Sequence, residues 1–321
     1  MSALEIRGLE VSLGGNPILH GIDLSVAPGE AVALLGPSGS GKTTLLYAVA
    51  GFVTPTAGEI EIGGEAVFGP GRLAPPEHRS IGFVFQNYAL WPHLTAGRIV
   101  AYPLERAGMS ASAAAEEAVA LLDLVGIGDL AGRKPAELSG GQQQRVGLAR
   151  ALARKAGLYL FDEPTAHLDS ALRADLQEEL VTRLAAGEAA ALYATHDSAE
   201  ALAVADRVVV LREGRTVQIG TPDEIYGEPI DLWAARLTGP AWEVAGEAAG
   251  ADADRVVVRP DWVAPGEGIE GIVEGVWFRG PHTDYRITTA AGTLEMRRPG
   301  HPEWVAGEGM SVRIERWWPT R

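Results

Sequence analysis

The run Gly36-Pro37-Ser38-Gly39-Ser40-Gly41-Lys42-Thr43 constrains the fold more than any other stretch of the chain. Its glycines let backbone N–H groups converge on a phosphate, Lys42 can reach the terminal phosphates, and Thr43 offers a hydroxyl to Mg²⁺. The flanks agree. Ala31-Val32-Ala33-Leu34-Leu35 has the pattern of a buried parallel strand, and Thr43 to Ala50 reads as the helix whose N-terminus faces the anion. Strand, glycine loop and helix in this order call for an α/β fold, whereas a Gly/Ser linker would lack both flanks. A second motif, Leu138-Ser139-Gly140-Gly141-Gln142, lies about a hundred residues downstream and changes what the first one means.

With 321 residues the chain can build one large core and a second small domain. Its formal charge of −15 argues against a nucleic-acid partner, which requires a basic face. The absence of cysteine excludes disulfides, thiolate metal sites and a thiol nucleophile. No run approaches the roughly 18 apolar residues that span a bilayer, and Met1-Ser2-Ala3-Leu4-Glu5 lacks the regions of a signal peptide.

From Leu4 to about Leu237 short apolar strands alternate with helical stretches, which favours a largely parallel sheet. Between the strands Ser80 to Phe85 and Gly157 to Phe161 the strands stop. Ala111 to Val125 and Gln142 to Lys155 are helical by spacing, so a helical subdomain inserted at about 88–155 is expected. A turn at Glu213-Gly214-Arg215 follows the strand Val208 to Leu211, and a helix starts at Thr221-Pro222. The first domain, 1–238, is expected to close near Thr238-Gly239-Pro240.

Beyond it, in 239–321, five β-like runs separated by Gly/Pro turns (Arg255 to Arg259, Ile272 to Phe278, Asp284 to Thr288, Thr293 to Arg297, Met310 to Glu315) suit a small all-β, OB-like barrel. Its 9 Arg and no Lys stand against 13 Asp and Glu, a net of −4 that would repel an oligonucleotide. Six of the eight tryptophans lie here, either as core or as a contact surface.

Leu158-Tyr159-Leu160-Phe161-Asp162-Glu163 is an apolar strand ending in two acids, and ligands of parallel sheets bind outside the carboxyl ends of their strands. In phosphoryl transfer an acid placed like Asp162 helps to hold Mg²⁺, and its neighbour Glu163 can orient or deprotonate the attacking water. A helix N-cap after the strand is the alternative use of the same acids. His196 and Gln86 also follow strands, where each is either a catalytic group or a loop residue without a role.

The ordered set of the phosphate loop, Gln86, Leu138-Ser139-Gly140-Gly141-Gln142, Asp162-Glu163, Asp169 and His196 resembles the ATP-binding subunit of an ABC transporter, over about three quarters of the chain. The resemblance implies a P-loop ATPase cassette in which two copies pack head to tail. Each ATP would lie between Gly36 to Thr44 of one copy and Ser139, Gly140, Gly141 and Gln142 of the other. It implies that Thr43, Gln86 and Asp162 attend Mg²⁺, that Gln86 senses the γ-phosphate, that His196 keeps phosphate and catalytic carboxylate in register, and that Asp169 contacts the partner. The segment Asn87 to His93 falls where the family receives a short helix of the membrane subunit, although core packing accounts for Trp91 equally well. Two departures stand out. Where the family has Ser before Ala-Leu-Asp this chain reads Ala166-His167-Leu168-Asp169, which keeps Asp169 while its neighbours differ, and Leu13 falls where an aromatic normally stacks on adenine.

Other nucleotide-binding classes fit less well. A GTPase would need an Asn-Lys-x-Asp element, yet the only asparagines, Asn16 and Asn87, precede Pro17 and Tyr88. A kinase would need neither the second motif nor His196, and a soluble ABC ATPase usually carries two cassettes or a long coiled coil. The β-segment, with Val257-Val258-Arg259-Pro260-Asp261 at its start, resembles the importer branch, which implies two membrane permeases, an extracytoplasmic binding protein and a place on the cytoplasmic face of the membrane. The insert Phe68 to Glu77 looks like the ferric-iron type, with polyamine, thiamine, sulfate and sugar types close behind.

Overall fold

The computed structural model describes residues 2–154, 156–165, 189–290 and 292–320. They divide into two compact units, Met1–Pro222 and Asp223–Arg321. The first contains β1 (Leu4–Leu13), β2 (Asn16–Val26), β3 (Ala31–Leu35), β4 (Ala57–Ile62), β5 (Glu65–Gly69), β6 (Arg72–Leu73), β7 (Ile81–Val84), β8 (Leu158–Asp162), β9 (Ala190–Thr195), β10 (Arg207–Arg212) and β11 (Arg215–Gly220). Its longer helices are α1 (Lys42–Ala50), α2 (Ala96–Arg106), α3 (Ala111–Leu124) and α4 (Gly140–Ala153), followed by the short α5 (Ser198–Val204).

Six strands form one sheet in the order β11-β10-β3-β9-β8-β7, parallel except for the hairpin strand β11. Because successive side chains of a strand point to opposite faces, this sheet feeds two cores. Val32 and Leu34 of β3 and Leu192 of β9 join Leu45, Leu46 and Val49 of α1 on one face. Phe161 of β8 and Tyr193 of β9 join Ile99, Leu122 and Val146 of the helical layer on the other. A second sheet, β2-β1-β4-β5-β6, is antiparallel and closes the first core from outside. No helix among the described residues is long and apolar enough to cross a membrane.

The second unit is all-β apart from short helical segments, and it is OB-like. Here β12 (Trp242–Ala245), β13 (Arg255–Val258) and β18 (Trp318–Pro319) form one sheet, while β14 (Val263–Phe278), β15 (His282–Thr289), β16 (Gly292–Pro299) and β17 (Gly309–Ile314) form another. The two extra strands, β12 and β18, pair only with β13 and supplement the five expected from sequence. Trp262 is buried, and Trp304, Trp317 and Trp318 pack on the same core, so most of the tryptophans serve packing. Trp277 is more open, 38% exposed with the Arg286 guanidinium over its ring.

The division after Pro222 assigns residues 223–238, expected with the first domain, to the second unit. The physical tie is Arg259, which is fully buried. Its guanidinium donates to Tyr226 O at 3.0 Å, Ala235 O at 3.1 Å and Thr238 Oγ1 at 2.8 Å, and lies 3.9 Å from the centre of the Tyr226 ring. Arg259→Met would orphan these acceptors. It is expected to destabilise this unit by about 2–4 kcal/mol, read as a lower denaturation midpoint by tryptophan fluorescence.

Candidate functional site

Four neighbouring parallel strands, β3, β9, β8 and β7, deliver their carboxyl ends to one edge of the sheet. The register sets Leu35 beside Thr195, Ala194 beside Asp162 and Phe161 beside Val84. Residues that follow these strand ends therefore meet although they are far apart in sequence. After β3 the chain turns through the glycine loop into α1, with Gly41 as its N-cap at φ 102°, a conformation closed to ordinary L-residues. At Gly36 a Cβ would lie 2.4 Å from Leu211 O, so only glycine lets the loop close onto β10. Lys42 folds back over the loop, its Nζ donating to Gly36 O at 2.7 Å and Pro37 O at 3.1 Å. Burial lowers its pKa, against the opposing pull of the Glu163 and Asp162 carboxylates.

Asp162, at the end of β8, is fully buried. Its Oδ1 accepts the Thr43 hydroxyl at 2.9 Å, while Oδ2 is buried without a partner. Burial pushes this carboxyl up, the Thr43 hydrogen bond pulls it down, Glu163 raises it and Lys42 lowers it. A dehydrated carboxylate oxygen beside a hydroxyl is what a hard, oxygen-seeking cation satisfies, so these residues fit Mg²⁺.

Glu163 takes a left-handed backbone conformation, φ 47°, pinned by its N–H bond to Ala194 O at 2.9 Å. Such a conformation costs a non-glycine residue on the order of 1–3 kcal/mol and persists where its surroundings over-determine it. The result is a carboxylate held from both sides. Gln86 Nε2, from beyond β7, donates to Oε2 at 3.1 Å, and His196 Nδ1, from beyond β9, lies 3.1 Å from Oε1. The Glu163 side chain is 15% exposed and that of His196 55%, so water can reach this acid. A fixed carboxylate that water can reach, beside a phosphate loop, is equipped to orient or deprotonate water.

Residues 19–166 match the ABC transporter family, and residues 256–317 match the TOBE domain. The Fe(3+) ions import ATP-binding protein FbpC 1 of Rhodococcus jostii (strain RHA1) is 40% identical over 97% of this chain and 96% of its own length. The chain belongs to the ABC transporter ATP-binding family. The sn-glycerol-3-phosphate import ATP-binding protein UgpC of Cereibacter sphaeroides is 39% identical over 94% of this chain and 91% of its own length. A solved ATP-binding cassette, a dimer in a post-hydrolysis state with ADP and Pi, is 31% identical with a TM-score of 0.63, covering 68% of this chain and 98% of that one. This chain is an ATP-hydrolysing ABC subunit.

The ABC cassette gathers Gly36 to Thr44, Gln86, Asp162, Glu163 and His196 at one edge. Leu13 is 43% exposed at the end of β1, where the chain turns into β2. Its hairpin is nonetheless tied to the loop: His20 N donates to Gly214 O at 3.0 Å, and Gly214 N donates to Ser40 O at 3.1 Å. Among the described residues, Ser139, Gly140, Gly141 and Gln142 do not join the cluster through hydrogen bonds. Ser139 caps α4 instead, its Oγ accepting Gln142 N at 3.3 Å while its N–H donates to Gln142 Oε1 at 2.9 Å. This reciprocal box starts the helix at Gly140, ahead of the expected start near Gln142. Asp169 lies outside the described residues.

Sequence reading missed Arg150. From α4 its guanidinium donates to Ala89 O at 2.6 Å and Tyr88 O at 3.0 Å, and lies near the rings of Phe85 and Trp91. Tyr88 and Ala89 are both left-handed, at φ 60° and 44°, so the chain just beyond Gln86 is strained and clamped by the helix that carries Ser139. Nothing in Ala149-Arg150-Ala151 separates this arginine from an ordinary helix-surface cation.

Proposed function

We propose that this ATPase is the energy-coupling subunit of an importer for ferric iron, working as a head-to-tail pair on two membrane permeases. The observation that carries the catalytic part is the placement of Glu163 between Gln86 and His196. In this reading Lys42 and the loop N–H groups bind the phosphates, and Thr43, Gln86 and Asp162 would hold Mg²⁺, which would supply positive charge to the phosphate oxygens. Glu163 takes the proton of the attacking water, and His196 keeps Glu163 aimed. Ser139 to Gln142, exposed or half-buried at the N-terminal end of α4, would meet the ATP of a second copy, with Asp169 at the same contact. The dimeric state named for the solved cassette supports that pairing. A permease partner puts the protein on the cytoplasmic face of the membrane, fed by an extracytoplasmic binding protein.

Iron is favoured because three Rhodococcus relatives named for Fe(3+) import each align over 97% of this chain. Disrupting the gene and measuring uptake of radiolabelled ferric iron and of sn-glycerol 3-phosphate tests it. Loss of iron uptake, restored by wild type and not by Glu163→Gln, is the expected result. Selective loss of glycerol 3-phosphate uptake would assign the other cargo.

Leu13 offers the base apolar contact without a π-face, so wild-type protein is expected to bind GTP about as well as ATP. An aromatic platform is worth roughly 1–3 kcal/mol per base in single-stranded nucleic-acid complexes, and Leu13→Tyr is expected to tighten ATP binding by that much or less. Titration of both proteins with both nucleotides checks this. Strong wild-type preference for ATP, without a gain in the variant, would show that adenine is held by another route.

A further inference from the structure

Behind the Glu163–His196 pair lies a second carboxylate that the reaction as described does not use. Glu200, in the first turn of α5, is only 4% exposed. Its carboxylate accepts the hydroxyls of Thr165, Tyr193 and Thr195, themselves buried. These donors sit at telling places. Thr165 is two residues beyond Glu163, Thr195 immediately precedes His196, and Tyr193 lies on β9, the strand that leads to His196. Thr195 Oγ1 also accepts Asp197 N at 3.0 Å, and Asp197 caps α5 by accepting Ala199 N at 2.9 Å. One side chain thus fastens the segment leaving Glu163 to the segment carrying His196.

We infer that Glu200 is the positioning residue of the hydrolytic site, a buried hydroxyl-lined carboxylate that fixes the separation of Glu163 and His196. The inference rests on the catalytic reading of those two residues. A carboxylate has two oxygens with room for several donors, and the described residues bring three hydroxyls to it. An amide of the same shape gives up one acceptor oxygen for an NH₂ that must itself donate, so at least one hydroxyl loses its partner or turns away. The left-handed backbone at Glu163 needs its surroundings to hold it, and the link through Thr165 supplies part of that hold next to the Ala194 O contact. Loosening it misplaces the proton acceptor without touching the phosphate loop.

The test uses full-length protein and steady-state ATP hydrolysis. Glu200→Gln is expected to lower kcat by about 10- to 100-fold, the scale of an ångström of misplacement at a reacting group, with KM and ATP affinity within about threefold of wild type. Thr195→Val should lower kcat in the same direction, and Thr195→Ser, which keeps the hydroxyl, should restore it. In the Glu163→Gln background, Glu200→Gln should change the residual rate by less than about twofold, because the clamp acts only through the acid already removed. Should Glu200→Gln fail to fold, the Thr195 pair and Thr165→Val against Thr165→Ser carry the same comparison. Normal kcat in Glu200→Gln, or a full further loss in the Glu163→Gln background, overturns the inference while leaving Glu163 in place. Near-normal turnover by Glu163→Gln alone overturns the catalytic reading and this inference with it.

Discussion

Glu163→Gln protein is expected to bind ATP as wild type does and to hydrolyse it at least about a hundredfold more slowly, the loss that follows removal of a positioned base. The substitution changes little else. The Gln86 amide, 3.1 Å from Oε2, still finds a carbonyl oxygen to donate to, and the backbone bond from residue 163 to Ala194 O is untouched. What disappears is a group able to take a proton, and a hundredfold corresponds to about 2.7 kcal/mol of transition-state stabilisation. Because binding survives and turnover does not, ATP-bound dimer should accumulate, visible as a shift in size-exclusion elution when ATP is present. Single-turnover release of phosphate separates chemistry from product release. Near-normal turnover would remove Glu163 from the role and leave the Gln86 and His196 contacts as packing alone.

The parts of this site legible in sequence are those in which local chemistry and strand direction agree. The glycine loop between an apolar strand and a helix fixes one end of the sheet, and an apolar strand ending in Asp162-Glu163 names the acids that must lie beside it. Other features depend on distant partners. Helix α2 contains Gly97 and Pro103, poor helix formers, and forms because Thr95 caps it and Ile99, Val100 and Leu104 bury against the helical layer. One antiparallel sheet joins β1 to β4 across more than forty residues, and a separate sheet in the second unit joins β13 to β18 across more than fifty, pairings that no local pattern announces. Glu200 hides for a different reason. In Asp197-Ser198-Ala199-Glu200 an acid three residues after an N-cap reads as a capping box, whereas here its carboxylate receives hydroxyls of two neighbouring strand ends. The strain at Glu163, Tyr88 and Ala89 is likewise silent in sequence, because ordinary side chains carry it.

Mixing Lys42→Ala protein with Ser139→Arg protein is expected to restore hydrolysis that neither shows alone. Lys42 is buried over its own phosphate loop, whereas Ser139 is exposed and bonded to Gln142 at the head of α4. In the proposed two-fold pair each site would take its phosphate loop from one copy and its Ser139 segment from the other, so a heterodimer would gather both lesions into one site and leave the other intact. With equal mixing and random pairing half the dimers are mixed and half of their sites are intact, so about a quarter of the wild-type rate should return if the sites act independently. The arginine adds bulk where small residues must admit phosphate, and removing the serine cap costs α4 about 1 kcal/mol, too little to unfold the cassette. Two copies of the same variant should stay inactive at every concentration, which separates a shared site from simple reassociation. Mixed dimers that form, as shown by differently tagged copies co-purifying, and yet hydrolyse nothing would overturn the shared-site arrangement.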